Sequence, residues 1–200
     1  MVSSSRDIAK EIAKKYNVTL TSESLSAVAE IITTYRFKHR KFIQNEGDIA
    51  ENILYIEKGL LRLYRIDNEE EILEQVVHEN DMLISYESLF TGQPTNQLIQ
   101  TIEPTIAHCI QYKQLKELAA KHEDVMNLMN AILENSIIKL RMESRLMRLK
   151  PTERYKALLY LDSEAVRRTP LKYIATYLDM AAETLSRVRS AINNNQEDYH

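Results

Sequence analysis

The residues best suited to recognise another molecule lie near the end of the sequence, between Thr169 and Ile192. Glu183 and Arg187 are four positions apart, which places both on one side of a helix. A guanidinium donates to guanine or to phosphate, and a carboxylate accepts a hydrogen bond from the cytosine amine. These residue types in this spacing indicate contacts with the edges of DNA bases. The simpler interpretation is a charged helix face that only meets water.

Two apolar patterns must position these side chains. A first segment, started by Pro170, has apolar residues at the spacing of one buried helical face, and a second resumes that spacing after Asp179, Met180 and Ala181. Such a pair predicts a helix-turn-helix, whose second helix enters the major groove of DNA. An ordinary pair of packed helices is the alternative. The apolar positions are Leu171, Ile174, Ala175, Leu178, Leu185, Val188 and Ile192, and the outward positions are Glu183, Ser186, Arg187 and Ser190.

Charge is unevenly divided along the chain. The 200 residues carry a net charge of −3, but the stretch from Ser136 to Ile192 holds twelve basic and six acidic residues, a net of +6 that leaves −9 elsewhere. A basic end joined to an acidic remainder is typical of a nucleic-acid-binding segment attached to a control domain. Solvated helix faces that are basic by chance would give the same count.

Composition excludes several classes of protein. The single cysteine, Cys109, excludes an internal disulfide and an iron–sulfur cluster, and its apolar surroundings indicate a buried thiol. No apolar run approaches the roughly 20 residues that span a bilayer, and the opening MVSSSRDIAK lacks the apolar core of a signal peptide. We therefore expect a cytoplasmic protein with no membrane partner. The histidines lack the His-x-His pair of a cupin-like metal enzyme and are read as surface or core residues, which argues for a non-enzyme and leaves haem open. The four histidines read in this way are His39, His78, His108 and His122, and the fifth histidine of the sequence is His200.

The first half of the chain changes from helical to extended patterns. Helical spacing covers Arg6 to Lys15 and Ser22 to Thr33. Short extended segments then follow at residues 35–44, 52–66, 70–77 and 105–112, separated by turn-rich breaks, and Gly47 and Gly59 fall at strand ends. This succession of short strands and turns predicts a small antiparallel sandwich or barrel.

A long helical stretch begins after Tyr112. Its apolar residues repeat every seven positions, which is typical of a helix that packs along a partner helix. Packing against its own sheet is the alternative, and both can hold for different sides. Pro151 ends the stretch, and a further helix is predicted from Thr152 to Ser163. The predicted dimer interface comprises Met126, Met129, Leu133, Ile137 and Leu140, with Ile132 and Met147 on the same stripe. The predicted domains are residues 1–112, 113–150 and 151–200.

Taken in order, these elements resemble the Crp/Fnr superfamily of bacterial transcription regulators over nearly the whole chain. The segment most similar to the family is PLKYIATYLDMAAETLSRVR, and the second is FIQNEGDIAENILYIEKGLLRLY. The resemblance implies an α+β fold: an antiparallel cyclic-nucleotide-binding-like β-roll of the jelly-roll or cupin kind, a long dimerisation helix and a C-terminal helix-turn-helix. It implies a homodimer that binds double-stranded DNA, with RNA polymerase as a further partner. Carried over to this sequence, base contacts come from Glu183, Arg187, Ser186 and Thr184, and phosphate contacts from Arg189, Lys172 and Tyr173.

The chain departs from the family pattern at the nucleotide site and in the helix-turn-helix. Ser85 and Tyr86 stand where cyclic-AMP-binding members have Gly-Glu, and no arginine occurs between Arg65 and Arg141. A buried phosphate without a cation is poorly compensated, so cyclic AMP is not expected and no other cofactor is implied. In the helix-turn-helix, Ala181 stands at the place of the family's usual helix cap, and Ala182 stands at that of a base-reading arginine. Asp179 replaces a common turn glycine. Candidate pocket residues for another effector are Ser85, Tyr86, Glu87, Thr95, Asn96 and Gln97.

The sequence thus predicts a homodimeric DNA-binding transcription regulator of the Crp/Fnr type, controlled by a signal other than cyclic AMP. A second hypothesis keeps the same fold but not its DNA binding. Ala182 and the acidic remainder are compatible with a ligand-sensing or protein-interaction module that has lost specific DNA binding.

Overall fold

The computed structural model describes residues 3–197, with side chains up to Ile192. Two helices open the chain, α1 (Ser5–Lys15) and α2 (Ser22–Glu30). The Ser4 hydroxyl accepts from the Asp7 amide, and the Thr21 hydroxyl accepts from the Ser24 amide, so each helix begins at a side-chain cap. The predicted extension of the second helix to Thr33 is wrong, because Ile32 is already the first residue of a strand.

Among residues 3–197, eight strands form two four-stranded antiparallel sheets. The first sheet has the order β1-β8-β3-β6, and the second has the order β2-β7-β4-β5. Sequence patterns missed two strands, the two-residue β6 and the polar β7. We call this double sheet the β-roll. Its strands are β1 (Ile32–Phe37), β2 (Phe42–Gln44), β3 (Asn52–Lys58), β4 (Leu61–Asp67), β5 (Glu70–Val77), β6 (Met82–Leu83), β7 (Gln97–Thr101) and β8 (Thr105–Gln111).

The two sheets bury a shared apolar core, which includes Ile56, Leu61 and Val77, all fully buried. The β3–β4 turn depends on Gly59, whose φ is +107°. A Cβ there would lie 2.7 Å from the Pro104 carbonyl oxygen, so the turn requires glycine for both conformation and space.

One helix interrupts the roll, and two helices follow it before Pro151. α3 (Tyr86–Thr91) lies between β6 and β7, and α4 (Tyr112–Ala119) leads into the long α5 (Glu123–Leu146). One face of α5, including Val125 and Leu128, is buried against the core formed with α1 and α2.

Two members of the predicted seven-residue stripe lie elsewhere. Ile132 is buried in the chain's own core, and Met147 packs into the helical core that follows. Met129 is half-buried against the same core as Ile132. The rest of the stripe is more open, since Ile137 is 66% and Leu140 53% exposed.

Four helices form the head, by which we mean residues 151–197. They are α6 (Pro151–Leu161), α7 (Ser163–Arg168), α8 (Leu171–Tyr177) and α9 (Ala182–Glu197). The separate helix α7, which was not predicted, starts because the Asp162 carboxylate accepts from the Ala165 amide. The head has its own apolar core around Leu178 and Leu185. The predicted α+β fold class is confirmed, and the last three residues of the predicted segment 151–200 lie outside the described part.

Candidate nucleic-acid interface and sensor cleft

The α8–α9 pair is joined by a tight turn. Asp179, at the position of a usual turn glycine, has a φ of +50°. The Met180 amide donates to the Ala175 carbonyl at 3.0 Å, which closes the end of α8. Leu185 and Val188 then bury one side of α9 against α8. The predicted buried pattern of both helices is therefore present in the structure.

The outward side of α9 carries the predicted base-reading residues. Glu183, Ser186 and Arg187 are exposed, and the Arg187 Nε donates weakly to the Glu183 carbonyl one turn earlier, at 3.4 Å. Arg189 is also exposed, whereas Thr184 is half-buried. Ala182 is half-buried at the helix start and packs against the core of the head. Glu183, Ser186 and Arg187 thus form one open polar face, which we call the recognition face.

The two predicted phosphate contacts on α8 have different surroundings. Lys172 is exposed, with its Nζ 4.7 Å from the ring centroid of Tyr173. The ring of Tyr173, however, packs against Arg62 of the β-roll, 4.0 Å from the guanidinium carbon. Tyr173 therefore faces the β-roll and does not share the open surface of Arg187.

Arg62 anchors this contact between head and roll. Its side chain is only 3% exposed and lies between the rings of Tyr64, at 3.9 Å, and Tyr173. It donates two hydrogen bonds to the Glu71 carboxylate, at 2.7 and 3.0 Å, and two to the Gln100 amide oxygen. The hydrogen bonds from Arg62 lower the pKa of Glu71 despite its partial burial. A buried guanidinium is thus paired on its edge and stacked on both faces.

Sequence reasoning missed Arg62. The alternation in LRLYRI does place Arg62 and Tyr64 on one face of a strand, so half of the stack could have been predicted. No spacing rule connects β4 with a tyrosine on α8, because that contact joins elements far apart in the chain.

Three further contacts fix the head on the roll. The backbone amide of Leu73 on the edge strand β5 donates to the Thr176 hydroxyl at 3.2 Å. The guanidinium of Arg168 donates to the carboxylates of both Glu79 and Glu103 at 2.6 to 3.2 Å. A third contact joins His78 Nε2 to the Asp162 carboxylate at 3.2 Å. Together with the Arg62 stack, these contacts define what we call the docked arrangement.

The predicted pocket residues divide into two groups. Ser85 and Thr95 are buried and Gln97 half-buried, and they are brought together inside the roll. Ser85 Oγ donates to Gln97 Oε1 at 2.6 Å, and Gln97 Nε2 donates to the Glu74 carboxylate at 2.5 Å. By contrast, Glu87 and Asn96 are exposed. The hydrogen-bonding groups of the buried members are therefore occupied by one another and by Glu74.

The space between these residues and α5 is small. A cavity of about 100 Å³ remains, lined by Tyr86 and Gln97 of the roll and by Lys139 of α5. Small-molecule sites commonly occupy about 300–1,000 Å³. No arginine lies among the residues that line this cavity, and Lys139 is paired with Asp81 at 3.0 Å. The residues present do not fit the phosphate of a cyclic nucleotide.

Other candidate groups are internally satisfied or inert. His108 is fully buried, with its ring nitrogens 2.9 Å from Thr34 Oγ1 and from the Glu57 carboxylate. Burial raises the pKa of the Cys109 thiol to about 11, which agrees with the interpretation of an unreactive side chain. Within the described residues, no group of three metal-ligating side chains is found, and no helix is long and apolar enough to cross a membrane.

Comparisons with known proteins agree with this architecture. The profile of the cyclic nucleotide-binding domain matches residues 35–122. No curated protein matches the sequence. Among solved structures, the chain is similar to FixK2 from Bradyrhizobium japonicum, with 18% identity over 83% of this chain and 86% of that one and a TM-score of 0.71.

Two further structures extend the likeness to nearly the full length. The regulator CLP from Xanthomonas campestris, described as responsive to c-di-GMP, is 16% identical over 88% of this chain and 93% of its own, with a TM-score of 0.66. The catabolite activator protein of Thermus thermophilus is also 16% identical, over 93% and 88%, with a TM-score of 0.53. The chain therefore contains a cyclic nucleotide-binding domain, at residues 35–122, and has the fold of Crp/Fnr-family regulators.

Proposed function

We propose that this protein is a homodimeric DNA-binding transcription regulator controlled by a signal other than cyclic AMP. The observation that carries the proposal is the recognition face of α9. Three polar side chains, including Glu183 and Arg187, stay open to solvent while Leu185 and Val188 hold the helix on α8. The fold of the structural neighbours, which are regulators, supports the same function.

The recognition face would read base edges in the major groove. Arg187 would donate two hydrogen bonds to a guanine, and Glu183 would accept one from a cytosine amine. Ser186 and Thr184 would lie beside them. Lys172 and Arg189 are exposed cations that would approach phosphates, a contribution that adds affinity without sequence preference.

Dimerisation would use the open stripe of α5. At about 100° per residue, five side chains lie within about 40° of one helical line: Met126, Met129, Leu133, Ile137 and Leu140. Met129 and Leu133 are half-buried, and Leu140 also borders the small cavity between α5 and the roll. A second copy of the helix would cover this stripe and present two heads about 34 Å apart. Ile137→Glu should therefore give monomers in sedimentation velocity, whereas Ile66→Glu, at an exposed isoleucine on β4, should leave the dimer unchanged. A dimeric Ile137→Glu protein would contradict this interface.

The docked arrangement suggests how a signal acts. Tyr173 and Thr176 of α8 are both held by the roll, so the head is not free to turn toward DNA independently. We propose that the regulating signal changes the equilibrium between docked and released heads. Such a signal acts only by binding one of these forms more tightly than the other.

The function can be tested with variants on a selected duplex. Arg187→Ala should lose about 1–3 kcal/mol of specific binding free energy and relax the preference at one base position, because one bidentate contact is removed. Lys172→Ala should weaken all sequences alike and reduce the salt dependence. Arg167, an exposed arginine on α7, supplies the matched control Arg167→Ala. Fluorescence anisotropy at several salt concentrations measures all three.

The outcome also separates the two hypotheses. If the wild-type chain shows no salt-dependent binding to any duplex, the protein is a ligand-sensing or interaction module that has lost DNA binding. If Arg187→Ala and Lys172→Ala both bind like Arg167→Ala, DNA is bound by another surface, and the assignment of α9 is wrong.

A further inference from the structure

A larger cavity lies outside the nucleotide-binding region of the roll. It has a volume of about 400 Å³, within the range of small-molecule sites. Its walls come from four parts of the fold: Lys15 at the end of α1, β5 and the following turn, the α5 side that faces the head, and helices α6 to α8. We call it the roll–head cavity.

Apolar side chains on its walls are left exposed. Ile138 is 59%, Met142 42% and Leu161 44% exposed, and all three line the cavity. At about 100° per residue, Ile138 and Met142 lie about 120–160° around α5 from Met126. Dimerisation through the proposed stripe would therefore leave them uncovered. An apolar ligand bound in the cavity would remove this apolar surface from water, which favours binding.

The ionisable groups of the cavity are paired with one exception. Asp81 contacts Lys15 and Lys139 at 2.8 and 3.0 Å, and Asp162 contacts His78 at 3.2 Å. No cationic side chain of the described residues forms an ion pair with Glu143; Lys139, one turn earlier on α5, acts on it from beyond 4 Å and is itself paired with Asp81, while the hydroxyl of Tyr177 faces the carboxylate. Burial raises the pKa of Glu143, and burial beside this carboxylate also raises that of Tyr177.

We propose that the roll–head cavity binds a small organic cation, with its apolar body against Ile138, Met142 and Leu161 and its protonated amine against Glu143. A carboxylate accepts up to about four hydrogen bonds, so Glu143 can bond to an ammonium group and to Tyr177 together. The ammonium supplies a cation in direct contact with Glu143, which Lys139 does not provide because it pairs with Asp81. Anionic ligands are disfavoured by the same carboxylate.

The site has a consequence for the docked arrangement. Since the cavity walls belong to both roll and head, the ligand contacts its full site only when the two are docked. Binding therefore stabilises the docked arrangement by linkage. The cavity itself is defined by side chains of the roll, α5 and head, and does not depend on DNA binding.

Three phenylalkyl probes test the charge preference: phenylbutylamine and phenylbutanol, which have the same apolar part, and phenylbutyrate, which has one methylene fewer. Titration calorimetry and ligand-detected NMR on the full chain should show the amine binding about tenfold tighter than the alcohol, as expected for one charge-assisted hydrogen bond. Glu143→Gln should abolish that preference, whereas Glu134→Gln, at an exposed position of the same helix, should keep it. Absence of saturable amine binding, equal or tighter binding of the butyrate, or a preference that survives Glu143→Gln overturns the proposal.

A second pair of variants locates the site. Ile138→Trp fills the cavity from an exposed position, where the larger side chain does not disturb a core, and should weaken the amine at least tenfold. Ile66→Trp makes the same substitution away from the cavity and should not. Equal amine binding by the two variants would place the amine elsewhere and refute this site.

Discussion

The contact between Arg62 and Tyr173 gives a sharp test of the docked arrangement. Replacing Tyr173 by alanine removes one of the two aromatic rings that cover the guanidinium. Arg62 keeps its hydrogen bonds to Glu71 and Gln100 and its stack on Tyr64, so no buried charge loses its partner. The substitution therefore weakens docking without the penalty of an unpaired buried ion.

The expected magnitude follows from this geometry. A cation over an aromatic ring at a shielded site contributes about 1–2 kcal/mol. Since 1.4 kcal/mol is a factor of 10, the docking equilibrium should fall about 5- to 30-fold. The apolar area of the lost ring adds to this loss, which makes the lower value a minimum.

The Leu73 amide reports docking directly. It lies on the edge strand β5 and donates to Thr176 of the head, so its hydrogen exchange requires undocking. Tyr173→Ala should speed its exchange about 5- to 30-fold while the docked form still dominates. Tyr160→Ala, at a tyrosine on α6 that is 91% exposed, is the matched control. Unchanged exchange in Tyr173→Ala, or equal acceleration in both variants, would refute the reasoning.

Two stability predictions follow from other parts of the structure. Arg168→Met should lower the free energy of unfolding by about 1–3 kcal/mol in urea titrations, less than for a fully buried pair because its carboxylate partners are partly exposed. Burial opposes ionisation of Glu79, but hydrogen bonds from Arg168 and from the Gly59 amide outweigh it and lower its pKa from 4.5 to about 2. The stability that this carboxylate contributes is therefore complete above about pH 4.5 and is lost as the pH falls toward 2. Arg168→Met should make this acid-induced loss smaller. If the free energy of unfolding falls with pH in the same way in the variant and the wild type, the assignment is wrong. Gly59→Ala should lower the free energy of unfolding by about 3 kcal/mol or more, because its Cβ would meet the backbone at Pro104. Gly47→Ala, which has open space around it at a φ of +87°, should lower it by about 1 kcal/mol. Equal losses in the two variants would show that crowding is not decisive.

The local pattern of the chain predicted the α8–α9 pair of the head well, but not α7. The apolar spacing from Leu171 to Val188 reflects a small core made by neighbouring helices, and such contacts are encoded within one stretch of sequence. The strands from β3 to β5 were also predictable, since their alternation and turn residues are local signals. The break before Pro151 was predicted from backbone sterics, and Lys150 is extended there, although α5 already ends at Leu146.

Other features depend on contacts between distant elements. β7 was missed because Gln97 and Gln100 are polar, and their role emerges only where they bond to Glu74 and Arg62. The seven-residue repeat of α5 did not separate two faces, since Ile132 meets the chain's own core and Ile137 does not. When a helix has apolar residues on two sides, the sequence shows one apolar repeat. That repeat does not tell which residues pack on the chain's own core and which are left for a partner helix.

The docked arrangement could not be read from the sequence for the same reason. Tyr173 was assigned to phosphates on the basis of its place on α8, and a tyrosine there can serve either surface. The contact with Arg62 requires the head to lie against β4 and β5. Its phosphate contact stays a prediction, which would require the ring to leave the roll.

The most direct test of the central claim is selection of bound duplexes from a random pool by the purified wild-type protein. Reading by two copies of α9 predicts enrichment of an inverted repeat whose half-sites lie about 10–10.5 base pairs apart, centre to centre. A pool that shows no enrichment over its input, or an enriched site without two-fold symmetry, would contradict the account.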